Sequence, residues 1–332
     1  MADDLYDVTI VGGGPVGLFT AFYSGMRNLK TKLLESSGEL GGKITQFYPE
    51  KTIRDIGGIQ AVTGAGLVRA LIGQAKTFAP AILCNRHVSG LERMPDGSFL
   101  LKTDNGEPHH TKTIILTAGA GIFKPVKLDV KGAERFESGN LYYTIEQLEV
   151  FRNKRVVISG GGNAAVDWAN ELAPVAERVS VIHRRDLFGG FERQVCEMKK
   201  LAEVFTPYKI KSLYGEGESI RRVEIEHADT GEMHWLEADA VIVNHGIYGD
   251  YGGILNWGLA MQEGRFVVNG AMETNIAGIF AAGDAVTYPH KLKLIAGGFA
   301  EGPVAVNSAA KYISPDAELM AMYSTHHERF TK

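Results

Sequence analysis

The chain has 332 residues, of which 45% are hydrophobic and 22% charged, and its formal net charge is −4. This length exceeds the usual size of one core, so two domains are expected, and the composition excludes an intrinsically disordered chain. The acidic balance disfavours a nucleic-acid partner, and no apolar stretch reaches the roughly 20 residues of a membrane span. Residues Met1–Asp4 lead directly into an apolar strand, from which we expect no signal peptide and a cytoplasmic protein.

The first predicted element is a β-strand that leads into a glycine-rich turn and a helix. The strand and the G-x-G-x-x-G pattern after it comprise Val8–Val11, Gly12, Gly14, Pro15 and Gly17. The glycines permit the tight turn, the approach of a pyrophosphate to the helix N-terminus, and close helix–strand packing. Glu35 ends the next apolar run, 23 positions after Gly12, where an acid accepts hydrogen bonds from a free ribose hydroxyl. This unit is therefore predicted to bind FAD, which has no 2′-phosphate.

The following region predicts further elements of the same domain. They are a loop at Gly41–Lys43, an aromatic segment at Phe47–Pro49, a helix from Gly66 to Phe78, and strands at Gly97–Asp104 and Thr113–Thr117. The glycine-rich exit Ala118–Gly121 predicts a crossing between domains.

A second copy of the strand, glycine-rich turn and helix begins at Val156. We call this combination the fingerprint. Its strand and turn comprise Val156–Ser159, Gly160, Gly162, Asn163 and Ala165. The next apolar run ends in His183, 23 positions after Gly160, followed by Arg184 and Arg185. Guanidinium groups at this position suit a 2′-phosphate, so this unit is predicted to bind NADPH.

The rest of the chain is too short for a third core and is expected to complete the first domain. A strand at Ala240–Asn244 ends in a second crossing at His245–Gly246, and a later apolar strand delivers Asp284 at a glycine turn. Asp284 is predicted to bind ribityl or phosphate-side hydroxyls of FAD, a role compatible with its being the N-cap of a following helix. We expect an α/β fold of two Rossmann-like dinucleotide-binding domains of the three-layer ββα type, with an NADPH domain at 121–247 inserted between the FAD-domain segments 1–120 and 248–332.

The two cysteines, Cys84 and Cys196, do not form a C-x-x-C pair. A reductase that passes electrons through its own dithiol needs two thiols close together beside the flavin. We therefore expect two inert thiols and no thiol relay.

Several segments resemble the thioredoxin reductase family of flavoproteins, and within it the ferredoxin–NADP reductases of thioredoxin-reductase-like type. The segments that carry the resemblance are Phe47–Lys51, Ala164–Ala169, Asn256–Leu259, Met272–Thr274 and the tail containing Ser324 and Thr325. The resemblance covers essentially the whole chain. Thioredoxin reductases have a C-x-x-C before the second fingerprint, whereas Leu141–Ile145 contains no cysteine.

The resemblance implies roles for further residues. It implies that Tyr48 stacks on one face of the isoalloxazine, and that Tyr323 covers the other face with Ser324 near N5. It also places Gly42, Lys43, Val88, Phe123 and Thr325 among the cofactor-binding residues. The family is homodimeric, so the C-terminal tail is expected to cover either its own flavin or the flavin of the partner chain.

Three positions depart from the family pattern. Relatives commonly have Gln at the position of Lys43 and His at the position of Tyr323, and they carry a further arginine where this chain has Phe188–Gly190. The last departure leaves Arg184 and Arg185 to determine the preference for NADPH, unless the loop folds back and lets Arg193 contribute.

These features predict a reductase that transfers a hydride between NADPH and FAD and single electrons between FAD and ferredoxin or flavodoxin. The protein itself would supply positioning and electrostatics, without a metal or a protein nucleophile. Two alternatives stay open from the sequence. One is a reductase of small acceptors or of a partner's disulfides, and the other is a non-catalytic flavin redox sensor.

Overall fold

The structure is a computed structural model that describes residues 4–49, 51–145, 147–319 and 322–331. The first three residues of the N-terminal segment and Glu50 of the Phe47–Lys51 motif lie outside the described residues. The chain folds into two compact units, one formed by Met1–Ile122 with Gly249–Lys332 and the other by Phe123–Tyr248.

The N-terminal segment supplies most of the first unit. Its helices and strands are β1 (Tyr6–Val11), α1 (Pro15–Met26), β2 (Thr31–Leu34), α2 (Lys43–Phe47), β3 (Thr52–Ile53), β4 (Val62–Thr63), α3 (Gly64–Ala75), β5 (Ala81–Leu83), β6 (Val88–Arg93), β7 (Phe99–Thr103) and β8 (Pro108–Leu116). Helix α3 continues as a short 3-10 turn at Lys76–Phe78, so the helix predicted from Gly66 to Phe78 is present and begins two residues earlier.

The inserted unit follows between two crossing strands. The elements from the first crossing strand to the second are β9 (Ile122–Pro125), β10 (Leu141–Tyr142), β11 (Arg155–Ser159), α4 (Asn163–Leu172), β12 (Arg178–Ile182), α5 (Glu192–Leu201), β13 (Glu203–Phe205), β14 (Tyr208–Glu216), β15 (Ser219–His227), β16 (Met233–Glu237), β17 (Ala240–Val243) and β18 (Ile247–Asp250). Strands β9 and β18 pair with each other as a two-stranded sheet.

The C-terminal segment then returns to the first unit. It contributes β19 (Met261–Gln262), β20 (Arg265–Val267), β21 (Ile279–Ala281), β22 (Val286–Thr287) and α6 (Ile295–Ile313). Strand β21 pairs in parallel with residues 114–116 of β8, so a strand from the end of the chain joins the sheet built by its beginning.

The main sheet of the first unit has the strand order β5-β2-β1-β8-β7-β6, with β21 also on β8. Strands β5, β2, β1 and β8 are parallel, whereas β7 is antiparallel to both of its neighbours. The parallel strands are buried along most of their length, including polar residues such as Thr9 and Lys32, because helices such as α1 cover them.

The inserted unit has three layers. Its parallel sheet, in the order β10-β17-β11-β12-β13, separates helices α4 and α5 from the antiparallel meander β14-β15-β16. Alternate residues of β11 face opposite layers: Val157 packs in the core with the meander, whereas Val156 and Ile158 pack in the core with the helices. This period of two explains why the strand is apolar at every one of these positions.

The predicted fold class is confirmed by these two α/β units. Two local expectations differ from the structure. Lys43 is the first residue of the short helix α2 instead of part of a loop, because Gly42 takes the N-cap position with a positive φ of 56°. Asp284 lies inside the 3-10 turn Gly283–Ala285, and the following helix, α6, has Leu294 instead of Asp284 as its N-cap.

Candidate dinucleotide-binding sites

The first glycine fingerprint joins β1 to α1 with no room for side chains at its outer glycines. A Cβ on Gly12 would lie 2.6 Å from the Thr117 carbonyl oxygen, and one on Gly17 would lie 1.9 Å from the Gly12 oxygen. At Gly14, by contrast, the nearest atom to such a Cβ is 4.0 Å away. Helix α1 has no side-chain cap and has Pro15 in its first turn, so its N-terminal N–H groups are left for an anion. The open space and the uncapped helix fit a dinucleotide pyrophosphate.

Glu35 lies under this turn. Its side chain is buried, and Oε2 accepts a hydrogen bond from the backbone N–H of Gly13 at 2.6 Å. Oε1 accepts from the N–H of Ser37 at 2.8 Å and from the hydroxyl of Ser36 at 3.1 Å. A carboxylate has about four lone-pair positions, so it retains acceptor capacity for a ribose hydroxyl.

The second fingerprint repeats this construction between β11 and α4. A Cβ on Gly160 would lie 2.5 Å from the Asn244 carbonyl oxygen, whereas one on Gly162 would meet no atom within 4 Å. Gly162 is the N-cap of α4 without a side-chain cap, Asn163 is the first helical residue, and Ala165 is fully buried. The space and the helix end again suit a pyrophosphate.

His183 occupies the position in the inserted unit that Glu35 has in the first. A Cβ on Gly161 would lie 2.3 Å from the His183 ring, just as one on Gly13 would lie 3.1 Å from Glu35 Oε2. The ring lies 3.2 Å from the Leu187 carbonyl oxygen, so we assign a protonated Nε2 that donates to it. Burial foremost, with Arg185 and Arg184 nearby, lowers the pKa of His183. The ring is therefore neutral at pH 7.

Arg184 and Arg185 follow at the surface. Both side chains are exposed, and neither forms a salt bridge within the described residues. The next loop turns back onto the fingerprint, because the N–H of Gly189 donates to the Gly161 carbonyl at 2.7 Å. Arg193 then lies, exposed, in the first turn of α5. The loop thus folds back, which is the condition for Arg193 to contribute to this site.

Two polar residues join the same edge of the inserted sheet without having been predicted. The Ser159 hydroxyl at the end of β11 lies 2.8 Å from His245 Nε2, just beyond the end of β17. Burial, with Arg184 and His183 as smaller causes, lowers the pKa of His245. The carboxyl ends of parallel strands are where α/β sheets bind ligands. The place of Ser159 and His245 at two such strand ends could have identified them from the sequence.

Asp284 and Lys43 meet in the first unit. Lys43 Nζ lies 3.3 Å from Asp284 Oδ2, and each side chain is about one third exposed, at 35% and 36%. Gly42 precedes the lysine and lies beside Gly14, because a Cβ on Gly42 would come within 3.2 Å of the Gly14 Cα. The lysine loop and the carboxylate therefore both border the first fingerprint.

Tyr48 lies at the C-terminal end of α2, partly buried against the core of the first unit. Burial raises the pKa of its phenol, and the carboxylates of Asp284 and Asp55 raise it further. The hydroxyl is therefore neutral at physiological pH. Asp55, two residues after β3, was not predicted as a site residue, since a single exposed acid in a loop gives no motif.

The C-terminal tail is attached to its own chain. The N–H of Met322 donates to the Tyr23 hydroxyl of α1 at 2.9 Å. The buried His327 ring is 5.1 Å from Phe78, and Phe330 is 5.9 Å from the same ring, both in edge-on geometry. These contacts fix both ends of the described tail to the first unit.

The predicted flavin-covering residues lie between these attachment points. Tyr323 is 60% exposed and contacts the ring of His326 at 5.9 Å. Ser324 and Thr325 lie in an exposed 3-10 turn. Within the described residues, the structure gives Tyr323 and Tyr48 no ring contact with each other.

The remaining predicted residues occupy less exposed positions. Val88 is buried at the start of β6, so its backbone is the part available to a cofactor. Phe123 is the first residue of the inserted unit and lies in β9.

The two cysteines are free thiols in different units: Cys84 is partly buried and Cys196 is exposed. Burial, with Glu35 as a smaller cause, raises the pKa of the Cys84 thiol and disfavours its thiolate. Across the described ranges no group of three or more His, Cys, Asp and Glu side chains could hold a metal ion. No described helix is long and apolar enough to cross a bilayer.

Comparisons with known proteins agree with this geometry. Residues 6–309 match the family model for pyridine nucleotide-disulphide oxidoreductases. The chain is 51% identical over 327 residues to ferredoxin–NADP reductase 1 of Bacillus velezensis, covering 98% of this chain and 97% of the relative. It is 47% identical to ferredoxin–NADP reductase of Halalkalibacterium halodurans, covering 97% and 98%. Among solved structures, thioredoxin reductase of Lactococcus lactis is similar with a TM-score of 0.72 and 25% identity, covering 93% of this chain and 99% of that one.

Proposed function

The chain belongs to the pyridine nucleotide-disulphide oxidoreductase family, and from this premise we propose that it acts as a ferredoxin–NADP reductase with FAD and NADPH as cofactors. When bound, FAD exchanges a hydride with NADPH and single electrons with ferredoxin or flavodoxin. The observation that carries this function is the equivalent pair of contacts, Gly13 with Glu35 and Gly161 with His183, in two fingerprints. An acid in one unit and His-Arg-Arg in the other distinguish a nucleotide without a 2′-phosphate from one that carries it.

The first unit holds FAD through backbone and carboxylate groups. The uncapped N-terminus of α1, opened at Gly14, receives the pyrophosphate, and Glu35 accepts from the adenosine ribose. Asp284 accepts from hydroxyls on the flavin side, and Tyr48 supplies a neutral aromatic face for the isoalloxazine. Gly42, Lys43 and Val88 complete the set of FAD-binding residues in the first unit.

The inserted unit holds NADPH in the same manner. The pyrophosphate meets the α4 N-terminus at Gly160, Gly162, Asn163 and Ala165. His183 stays neutral against Gly161, and Arg184 with Arg185 pairs with the 2′-phosphate. Their exposure and freedom from salt bridges in the described chain leave both guanidinium groups available to that ligand.

The experiment for the function is stopped-flow reduction by NADPH followed by an acceptor assay. Rapid bleaching of the yellow protein is expected, with cytochrome c reduction that depends on added ferredoxin. Bleaching without any ferredoxin dependence would favour a reductase of small acceptors, and absence of bleaching would favour a redox sensor.

We also propose a cytoplasmic homodimer in which Tyr323, Ser324 and Thr325 cover the flavin of the partner chain. The tail is fixed to its own chain on both sides of Tyr323, yet the tyrosine is 60% exposed, which suits a ring that acts on a second molecule. Sedimentation equilibrium tests the dimer. Tyr323→Ala should increase flavin fluorescence, and mixing it with FAD-free chains that have an intact tail should restore quenching. Quenching unaffected by such mixing would assign the tail to its own flavin.

A further inference from the structure

Glu301 is a buried carboxylate in the middle of α6. Its Oε1 accepts from the Tyr288 hydroxyl at 2.6 Å and from the Lys291 ammonium, and its Oε2 accepts from the Gly283 N–H at 2.7 Å. The side chains of Lys291 and Glu301 are only 5% and 6% exposed. One carboxylate thus joins the helix, the loop before it and the turn that carries Asp284.

The helix around Glu301 is fixed against α1. A Cβ on Gly298 would lie 2.3 Å from Val16 Cγ2, and one on Gly302 would lie 2.4 Å from the Thr20 hydroxyl oxygen. Positions 298, 301 and 302 share one face of a helix, because residues three and four apart are neighbours. Glu301 therefore extends from a helix face that is in close contact with α1, the helix of the first fingerprint.

Glu301 binds the backbone of the turn directly in front of Asp284. Gly283 has a positive φ of 80°, in a region that side chains rarely adopt, and its N–H is the donor to Glu301. Asp284 is the next residue, so the orientation of its carboxylate follows the orientation of this peptide. Only about one third of the Asp284 side chain is exposed, and its visible partner is Lys43 from another part of the chain.

A buried ion pair is a poor way to gain stability alone. Removing two charges from water is costly, and apolar residues of similar volume often stabilise a core as well or better. The presence of Lys291 and Glu301 beside the Asp284 turn is better explained by the directed hydrogen bonds that they provide. An apolar pair would fill the space and leave the Gly283 N–H without its acceptor.

We propose that Glu301 is a positioning residue for FAD, which acts by holding the Gly283–Asp284 turn, and that Lys291 fixes the carboxylate of Glu301. The inference rests on the proposed role of Asp284 as a ligand of FAD hydroxyls. Glu301 makes no contact with the cofactor in this scheme, and its effect passes through the backbone of Gly283.

The test is the dissociation constant of FAD from the apoprotein, measured by flavin fluorescence. Glu301→Gln should raise the dissociation constant of FAD by about ten- to hundredfold, because it leaves the buried Lys291 ammonium without a charged partner. Adding Lys291→Met to that variant should restore part of the affinity. Lys293→Met, at an exposed lysine of the same loop, is the matched control and should leave the dissociation constant unchanged. Should Glu301→Gln fail to fold, Tyr288→Phe removes one hydrogen bond, keeps the ion pair and should weaken FAD by about threefold.

A double-mutant cycle separates this inference from the proposed function. Asp284→Ala alone should weaken FAD binding. Adding Glu301→Gln to that variant should weaken FAD binding little further, since the effect of Glu301 passes through Asp284. Unchanged FAD affinity in Asp284→Ala would refute the role of Asp284 itself. If Asp284→Ala weakens FAD and Glu301→Gln does not, or if the two losses simply add, Glu301 is not the positioning residue for Asp284.

Discussion

Lys43 and Asp284 lie 241 positions apart in sequence, yet Lys43 Nζ is 3.3 Å from Asp284 Oδ2. The lysine begins α2 and the aspartate lies in the turn after β21, so the contact joins the two chain segments of the FAD unit. The family resemblance implies a glutamine at the position of this lysine. It therefore places a positive charge, partly balanced by a carboxylate, at the border of the first fingerprint.

The charge of Lys43 should make the flavin easier to reduce. The family resemblance implies that the Gly41–Gly42 loop lies near the flavin, and an ammonium there favours the added negative charge of the reduced form. Lys43→Gln should lower the two-electron midpoint potential by roughly 10 to 30 mV, a modest shift because water and Asp284 screen the charge. Redox titration of the purified protein measures it. Lys76→Gln, at an exposed lysine after α3, should leave the potential unchanged, and equal midpoints in all three proteins would contradict the prediction.

Arg184 and Arg185 should determine nucleotide choice. Replacing both with Ala should raise KM for NADPH by about ten- to hundredfold and change KM for NADH little, because only NADPH offers the 2′-phosphate. Steady-state kinetics with both nucleotides measures this. The matched control removes two other positive charges of the same unit, Lys209 and Lys211 of the meander. Equal losses for both nucleotides would show that the arginines act on something other than the phosphate.

The two thiols should be dispensable. Cys84→Ser with Cys196→Ser should leave NADPH-driven reduction of ferredoxin nearly unchanged, because the thiols lie in different units and form no redox pair. The assay is ferredoxin-dependent cytochrome c reduction, with FAD content determined by absorbance. Lost activity at full FAD content would demonstrate a thiol relay.

The inserted unit should lose stability in acid through one ion pair. Arg155 donates from Nε and Nη2 to the two oxygens of Asp239 at 2.8 and 2.9 Å, and these hydrogen bonds lower the pKa of Asp239 to about 2. Because the pKa of Asp239 is lower in the folded state than its ordinary value of 3.8, the ion pair stabilises the folded state at pH values above 3.8. That contribution should decline as the pH falls from about 4 towards 2. Screening of this partly exposed pair limits it to about 1 kcal/mol.

Urea unfolding at several pH values measures this contribution. A Trp257→Phe background leaves Trp168 and Trp235 as reporters, both of which lie in the inserted unit. In this background Asp239→Asn should unfold at lower urea near pH 5 and should converge with its parent near pH 2. A constant difference between the two proteins across this range would rule out the linkage.

The sequence predicted the parts of the sites that depend on local geometry. A βαβ unit fixes the distance from its glycine turn to the end of its second strand, so the equal spacing predicted that Glu35 and His183 occupy equivalent positions in the two units. In the structure they lie next to Gly13 and Gly161. The acid and the arginines at these equivalent positions then predicted two different nucleotides. The inserted arrangement followed from the short remainder after the second unit.

Other features depend on contacts that no local pattern encodes. The pairing of Lys43 with Asp284 and the return of Gly189 to Gly161 arise only when distant segments pack. Glu301 has one unusual feature in the sequence: it is the single carboxylate in a helix otherwise rich in glycine, alanine and apolar residues. This feature does not identify the partners of Glu301, because Lys291 and Gly283 contact its side chain only in the folded structure. The place of Tyr323 over a flavin remains a prediction.

The pairing of β21 with β8 has a consequence for biosynthesis. Residues 114–116 of β8 find this neighbour only at residues 279–281, after the whole inserted unit has been translated. The inserted unit, whose residues are contiguous, is able to fold during translation while the N-terminal segment still lacks β21 and α6. Chaperones would thus meet a nascent chain with a finished NADPH unit and an open sheet edge in the FAD unit, the kind of edge that invites pairing with other chains.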